Sequence, residues 1–266
     1  MGKVGNDPFG HFLAGILNQE GVDTQQLLLS DEAKTGLAFV SLKSDGDREF
    51  MFYRDPSADI LLRHDEIDPE AIKAAKLLHF GSISLICEPI RSATFHALKI
   101  ARESGCQISY DANLRLALWP DEKIAREGLL LGLAQANIVK LSEDELEFLT
   151  DNTDLKEAAK ALWHDDLKLL IVTQGRDGCY FMTPDHEGKV DSFDVETIDA
   201  TGAGDAFVAG LLQGILKDPS AFNDFDKLSV LCRFANASAA ISTTRNGAIP
   251  ALPCYEEVHQ FLIDHQ

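Results

Sequence analysis

Asp199-Ala200-Thr201-Gly202-Ala203-Gly204-Asp205 runs straight into Ala206-Phe207-Val208-Ala209-Gly210-Leu211-Leu212, a polar glycine-bearing loop that feeds an apolar helix of small residues. Glycines two apart let a backbone approach a ligand closely, and the first amides of a helix have no intrahelical acceptor. Gly202, Ala203 and Gly204 are therefore candidates for an anion hole that holds phosphate oxygens. Asp205, at the same helix start, stands where it could take the proton of a hydroxyl attacking a phosphoryl group. On these residues alone two readings stay open: a general base, or an acid that favours the positive end of a helix dipole.

Working outward, short apolar runs at residues 76–85, 107–110, 138–141 and 167–173 alternate with amphipathic stretches at 88–104, 121–134, 143–149 and 155–164. That alternation predicts an α/β fold with a doubly wound, mostly parallel sheet and helices on both faces. Ligands in such sheets bind beyond the carboxyl ends of the strands. The later runs end there in Asp111-Ala112-Asn113-Leu114-Arg115, Ser142-Glu143-Asp144-Glu145 and Gln174-Gly175-Arg176-Asp177-Gly178. Nearer the start, Phe9, Phe12, Leu13, Ile16 and Leu17 recur at helical spacing up to Gly21, predicting a helix laid against a sheet. Residues 34–41 and 49–54 are rich in β-formers and flank Asp45-Gly46, a hairpin signal, so residues 34–59 are expected to form part of a small β lid. With no repeat and no linker, residues 1–266 are expected to form one unit.

With 43 acidic against 24 basic residues the chain carries −19 net, which repels polyanions and argues against nucleic acid or an anionic membrane as partner. A nucleotide remains compatible, because amides and a cation neutralise phosphate locally. No window approaches the roughly 18 apolar residues of a membrane span. The five cysteines lack CxxC spacing and the eight histidines lack HxH or HxxxH, so neither a disulfide framework nor a zinc site is indicated; buried, reduced thiols are expected.

Asp-x-Thr-Gly-Ala-Gly-Asp-Ala-Phe, here residues 199–207, resembles the second signature of the ribokinase-like (PfkB) carbohydrate kinases. Residues 2–10, 52–59, 79–84, 110–115 and 234–253 resemble plant and bacterial fructokinases, so the likeness covers almost the whole chain. The resemblance implies a ribokinase-like fold, ATP and Mg2+ as cofactors, and phosphorylation of fructose to fructose 6-phosphate. Asp205 would be the base, and the amides of Gly202, Ala203 and Gly204 the anion hole. Glu145 matches the acid that orients Mg2+ through water, with Ser142 replacing the family's asparagine. Thr173, Gly175, Gly178, Asn236 and Gly247 match the ATP side. Asp199, Thr201, Thr243 and Ala251 match positions that hold K+ in relatives, mostly through main-chain oxygens.

Asp111, Asn113 and Arg115 stand at a strand end where an arginine can clamp a phosphoryl group, and Arg54 and Asp59 follow the lid hairpin, where closure would bring them over the sugar. The competing reading of Arg54 and Asp59 is a solvated surface pair. Relatives begin with a strand and a Gly-Gly-x-x-x-Asn sugar-binding segment that precede the region where this chain opens. The expectation is a truncated isoform or an incomplete gene model, poorly active alone or dependent on a partner. The family further implies a small-molecule sugar substrate, a homodimer through the lid, a place in fructose and starch metabolism, and a cytoplasmic setting, or a plastid one were a transit peptide to precede this chain. The rival functions are another PfkB sugar or nucleoside kinase, and a non-catalytic fructokinase-like scaffold.

Overall fold

Asp7 sets the first helix. Its Oδ1 accepts the amides of Phe9 and Gly10 at 3.0 Å each, and Pro8 follows at the first helical position. In the computed structural model, which describes residues 1–42 and 48–265, the chain divides into two units, Met1–Cys106 with Arg115–Leu129, and Gln107–Leu114 with Leu130–Gln266.

In the first unit β1 (Gly2–Gly5) pairs in parallel with β2 (Leu27–Ser30), the two joined through α1 (Pro8–Gln19). The helix is where the spacing predicts it, with Leu13, Ile16 and Leu17 of the apolar stripe half-buried. Phe9 and Phe12 are 53% and 64% exposed, and Gly10 is the residue turned inward. A Cβ on Gly10 would lie 2.0 Å from the Gly5 carbonyl oxygen, so the glycine sets a close approach of helix to strand that the phenylalanines could not make. β3 (Leu37–Leu42) and β4 (Arg48–Tyr53) pair antiparallel as expected of the lid, and the Asp45-Gly46 turn lies outside the described residues. α2 (Pro69–Ala74), β5 (Leu77–Gly81) and α3 (Ile90–Glu103) follow, α3 burying Ala93, Ala97, Leu98 and Ala101 at helical spacing. β6 (Gln107–Asp111) opens the second unit before α4 (Glu122–Leu133) begins.

The second unit is built on a sheet in the order β10-β9-β8-β7-β6, with β7 (Ile138–Ser142), β8 (Leu169–Thr173), β9 (Cys179–Met182) and β10 (Glu187–Val190). β6, β7 and β8 run parallel, and β9 and β10 are antiparallel additions, so the α/β sheet is mixed. α5 (Glu143–Thr150) packs on β7 and β8, and α6 (Leu155–Ala161) packs on α5. α7 (Ala203–Lys217) and α8 (Phe225–Thr243) lie against each other, because Gly210 brings α7 close enough that a Cβ there would sit 2.8 Å from Ser238 Oγ. α9 (Tyr255–Asp264) covers α8 with Val258 against Ala237 and Ile241. No helix among the described residues is long and apolar enough to cross a membrane.

Candidate active site

The loop before α7 is held by its own first residue. Asp199 Oδ1 accepts Thr201 N and Oγ1 at 2.9 and 2.7 Å, and Oδ2 accepts Gly247 N at 3.0 Å. Ile198 N and Asp199 N both donate to Thr243 O, at 2.8 and 3.1 Å, which ties the loop to the end of α8. Gly202 caps α7 in the left-handed conformation at φ +80, and a Cβ there would press on Ala248 at 3.3 Å. Of the expected anion-hole amides, that of Ala203 turns back to Ala200 O at 3.3 Å. Gly204 and Asp205 follow in the first turn, where helical amides have no intrahelical acceptor. Asp205 itself is exposed there.

Lys140, a residue the sequence reading passed over, reaches toward this turn. It projects from β7 and is 7% exposed, with Nζ 3.2 and 3.4 Å from the two oxygens of Asp111 at the end of β6. A Cβ on Gly204 would lie 3.4 Å from the same Nζ. Burial pushes Asp111 up to about 6; Lys140 opposes this, while Glu145 and then Asp205 add to it through their negative charge. Asn113, at φ +40, donates its amide to Asp111 Oδ1 at 3.2 Å. Glu145 closes a capping box with Ser142: Oε2 accepts Ser142 N at 2.8 Å, and Ser142 Oγ accepts Glu145 N at 3.2 Å. Its other oxygen accepts Leu114 N at 2.7 Å, so Glu145 ties the loop after β6 to the start of α5.

Beside the α7 start lies a cavity of roughly 600 Å3 lined by Thr173, Gly175, Gly178, Ala203, Gly204 and Asn236, and walled by Ser192, Phe193, Asp194 and Val195. The Gln174–Gly178 segment is a tight hairpin between antiparallel β8 and β9 as well as part of this lining, so the two readings of that glycine turn coexist. Asn236 is 3% exposed, not a solvated helical side chain. Its Nδ2 donates to Val190 O and Asp191 O at 3.0 and 3.1 Å, fixing the strand end from which the 192–195 wall departs. That wall carries no recognisable motif. Phe193 is itself backed by Phe261, centroids 5.0 Å apart, and by the Arg233 guanidinium.

Arg54 and Asp59 belong to the first unit and form an ion pair with each other, Ser57 Oγ adding a hydrogen bond to Asp59. Arg115 also lies in the first unit, before a short 3-10 turn, whereas Asp111 and Asn113 lie in the second. Asp199, Thr201, Thr243 and Gly247 converge on the clasp described above, and Ala251 is buried in a 3-10 turn that follows it. Thr243 O accepts two amides and Asp199 Oδ1 two donors, so a K+ here would rest on the main-chain oxygens of the set rather than on these two atoms. No group of three or more His, Cys, Asp or Glu among the described residues could hold a metal. Of the thiols, Cys106, Cys179 and Cys232 are buried as expected, but Cys87 is only half-buried and Cys254 is exposed.

The pfkB family carbohydrate kinase model matches residues 1–254. Probable fructokinase-3 of Arabidopsis thaliana is 52% identical over 267 residues, covering 100% of this chain and 77% of that protein. The structure of a Xylella fastidiosa fructokinase with bound ATP superposes with a TM-score of 0.93 at 34% identity, covering 100% of this chain and 84% of the other. A Vibrio cholerae O395 fructokinase in its fructose, ADP and calcium-bound form superposes with a TM-score of 0.91 at 36% identity, covering 98% and 84%. With a family match over nearly its full length and a relative of this identity, the chain belongs to the pfkB family of carbohydrate kinases.

Proposed function

We propose that this chain transfers the γ-phosphate of ATP to the primary hydroxyl of fructose, giving fructose 6-phosphate. One observation carries the reading: Ala203 and Gly204, at the start of α7, line the same cavity as Thr173, Gly178 and Asn236, so a phosphate-binding helix start and a nucleotide-sized pocket are continuous. A triphosphate whose base lies toward Asn236 has its phosphates at the α7 start. Asp205, exposed in that first turn, takes the hydroxyl proton as the sugar oxygen bonds to Pγ and the bridging oxygen leaves with ADP. The amides of Gly204 and Asp205 stabilise charge on the transferring oxygens.

Fructose as the sugar is supported by the relatives' names and by the fructose and ADP bound to the Vibrio enzyme. Mg2+ carried by the triphosphate would offset its charge, and Glu145, with each oxygen already holding one backbone amide, would contact it through water rather than by direct ligation. No step is assigned to K+. A lid homodimer is supported by Phe39, Met51 and Tyr53, which are 56%, 58% and 59% exposed. The activity is tested by ADP release from Mg2+·ATP with fructose, ribose and adenosine as acceptors. Turnover highest with fructose is expected, and a preference for either other acceptor overturns the assignment.

A further inference from the structure

We infer that Lys140 is the cation that holds the transferring phosphoryl group, and that Asp111 serves it as an anchor. This rests on the kinase reading above and extends it to a residue that no motif marks. β7 reads Ile138-Val139-Lys140-Leu141, and Ile138, Val139 and Leu141 are at most 1% exposed. Lysine is rarely buried this deeply unless paired. Pairing with Asp111 does not itself explain its presence, because a buried ion pair is commonly no more stabilising than apolar residues of the same volume. A structural origin would thus have favoured another branched apolar residue in this strand.

The position of Nζ supplies a better reason. It lies where a Cβ on Gly204 would be 3.4 Å away, against the first turn of α7, where helical amides have no intrahelical acceptor. The glycine leaves that side of the ammonium uncovered. An ammonium has three donors, and the two Asp111 oxygens engage two of them, so the third is available to an oxygen on Pγ. The surroundings call for such a cation: Asp111 pairs with it, Glu145 and Asp205 are near enough for their negative charge to act on Asp111, and a triphosphate adds further negative charge. Lys140 takes no part in proton transfer. The sugar O–Pγ bond forms, the bridging O–Pγ bond breaks, the hydroxyl proton goes to Asp205, and Lys140 offsets the charge on the transferring oxygens.

The test compares wild type, Lys140→Met, and Lys140→Met with Asp111→Asn, the double variant removing both buried charges so that folding does not decide the result. Calorimetric affinities are measured for Mg2+·AMP-PNP and for adenosine, and kcat for fructose. Expected in both variants are adenosine affinity equal to wild type, AMP-PNP affinity lower by roughly tenfold to a hundredfold, and kcat lower by about 10² to 10³. If wild type binds AMP-PNP more tightly than adenosine and the variants keep that advantage, Lys140 has no phosphate role while the kinase reading stands. Equal losses for adenosine and AMP-PNP would mean general disruption and would also overturn the assignment. A wild type with no preference for the triphosphate removes both readings.

Discussion

A Cβ on Gly178 would lie 2.0 Å from the carbonyl oxygen of Val190, and Gly178 sits at φ +89. The close approach and the positive φ both exclude a side chain. The β8–β9 hairpin can therefore lie on the strand end that leads into the cavity wall only with glycine at this position. Gly178→Ala is expected to cost at least about 2 kcal/mol, from an ordinary residue forced into a sparsely populated conformation plus the clash. It should also weaken ATP binding, because the wall moves with Val190. Denaturant unfolding and nucleotide titration check the two effects. Gly175→Ala is the control: Gly175 also has positive φ, at +57, but nothing lies within 4 Å of its Cβ position, so only the conformational part of the loss should appear.

Asp205→Asn keeps the shape of the α7 start and removes the proton acceptor. The expected result is a kcat for fructose lower by about 10² to 10⁴, with ATP affinity retained. Asp205 is exposed in the first helical turn, so the melting temperature should change little. Steady-state kinetics with a thermal melt separates a lost base from a damaged fold. Unchanged turnover rules out Asp205 as the base.

The elements that sequence made legible share one property: they are local. β6, β7 and β8 are short apolar runs closed by polar or glycine-containing turns, and the Asp199–Asp205 string carries its own phosphate chemistry within seven residues. What remained hidden depends on contacts distant in sequence. Lys140 was lost inside a run counted as apolar; the available signal was a lysine in a strand otherwise of Ile, Val and Leu. The Ser192–Val195 wall has no motif because Asn236, more than 40 residues further on, positions the strand end before it. The exposure of Phe9 and Phe12 on α1 has a related reason. The period of Phe9 and Phe12 identifies a helix, but the inward face was chosen by Gly10, which spacing arguments ignore. Ser142-x-x-Glu145 reads from sequence both as a helix start and as the place of a metal-orienting acid, and the capping box is the local half of that pair.

Asn236→Ala is expected to destabilise the chain and weaken ATP binding together. Removing Nδ2 leaves the carbonyls of Val190 and Asp191 without these donors, at a cost of about 1 to 3 kcal/mol where such groups are buried. The loss should appear in urea unfolding, and ATP affinity should fall more than affinity for inorganic triphosphate, because the disturbed wall lies on the Asn236 side of the cavity. Equal losses for both ligands would place Asn236 outside the base-binding part.

Asp111 gives stability a pH dependence of known sign. Its carboxyl titrates near 3.8 in the unfolded chain, and burial pushes it up to about 6 in the folded one. Between those values the folded state holds a proton that the unfolded state has released. The stability contributed by protonated Asp111 is therefore fully present below about pH 4 and is lost as pH rises through 6. Asp7, held down to about 2 chiefly by the Thr35 and Gly10 amides, acts in the opposite direction: its contribution is present above the ordinary carboxylate range and lost as pH falls through about 2. The two effects separate by mutation. Comparing wild type with Asp111→Asn cancels Asp7 and any constant penalty from leaving Lys140 without its partner. Going from pH 4 to pH 7, wild type should lose about 2 kcal/mol of unfolding free energy relative to the variant. Parallel stability curves over that range would show that Asp111 is ionised in the folded chain already at pH 4, with Lys140 rather than burial setting its charge state.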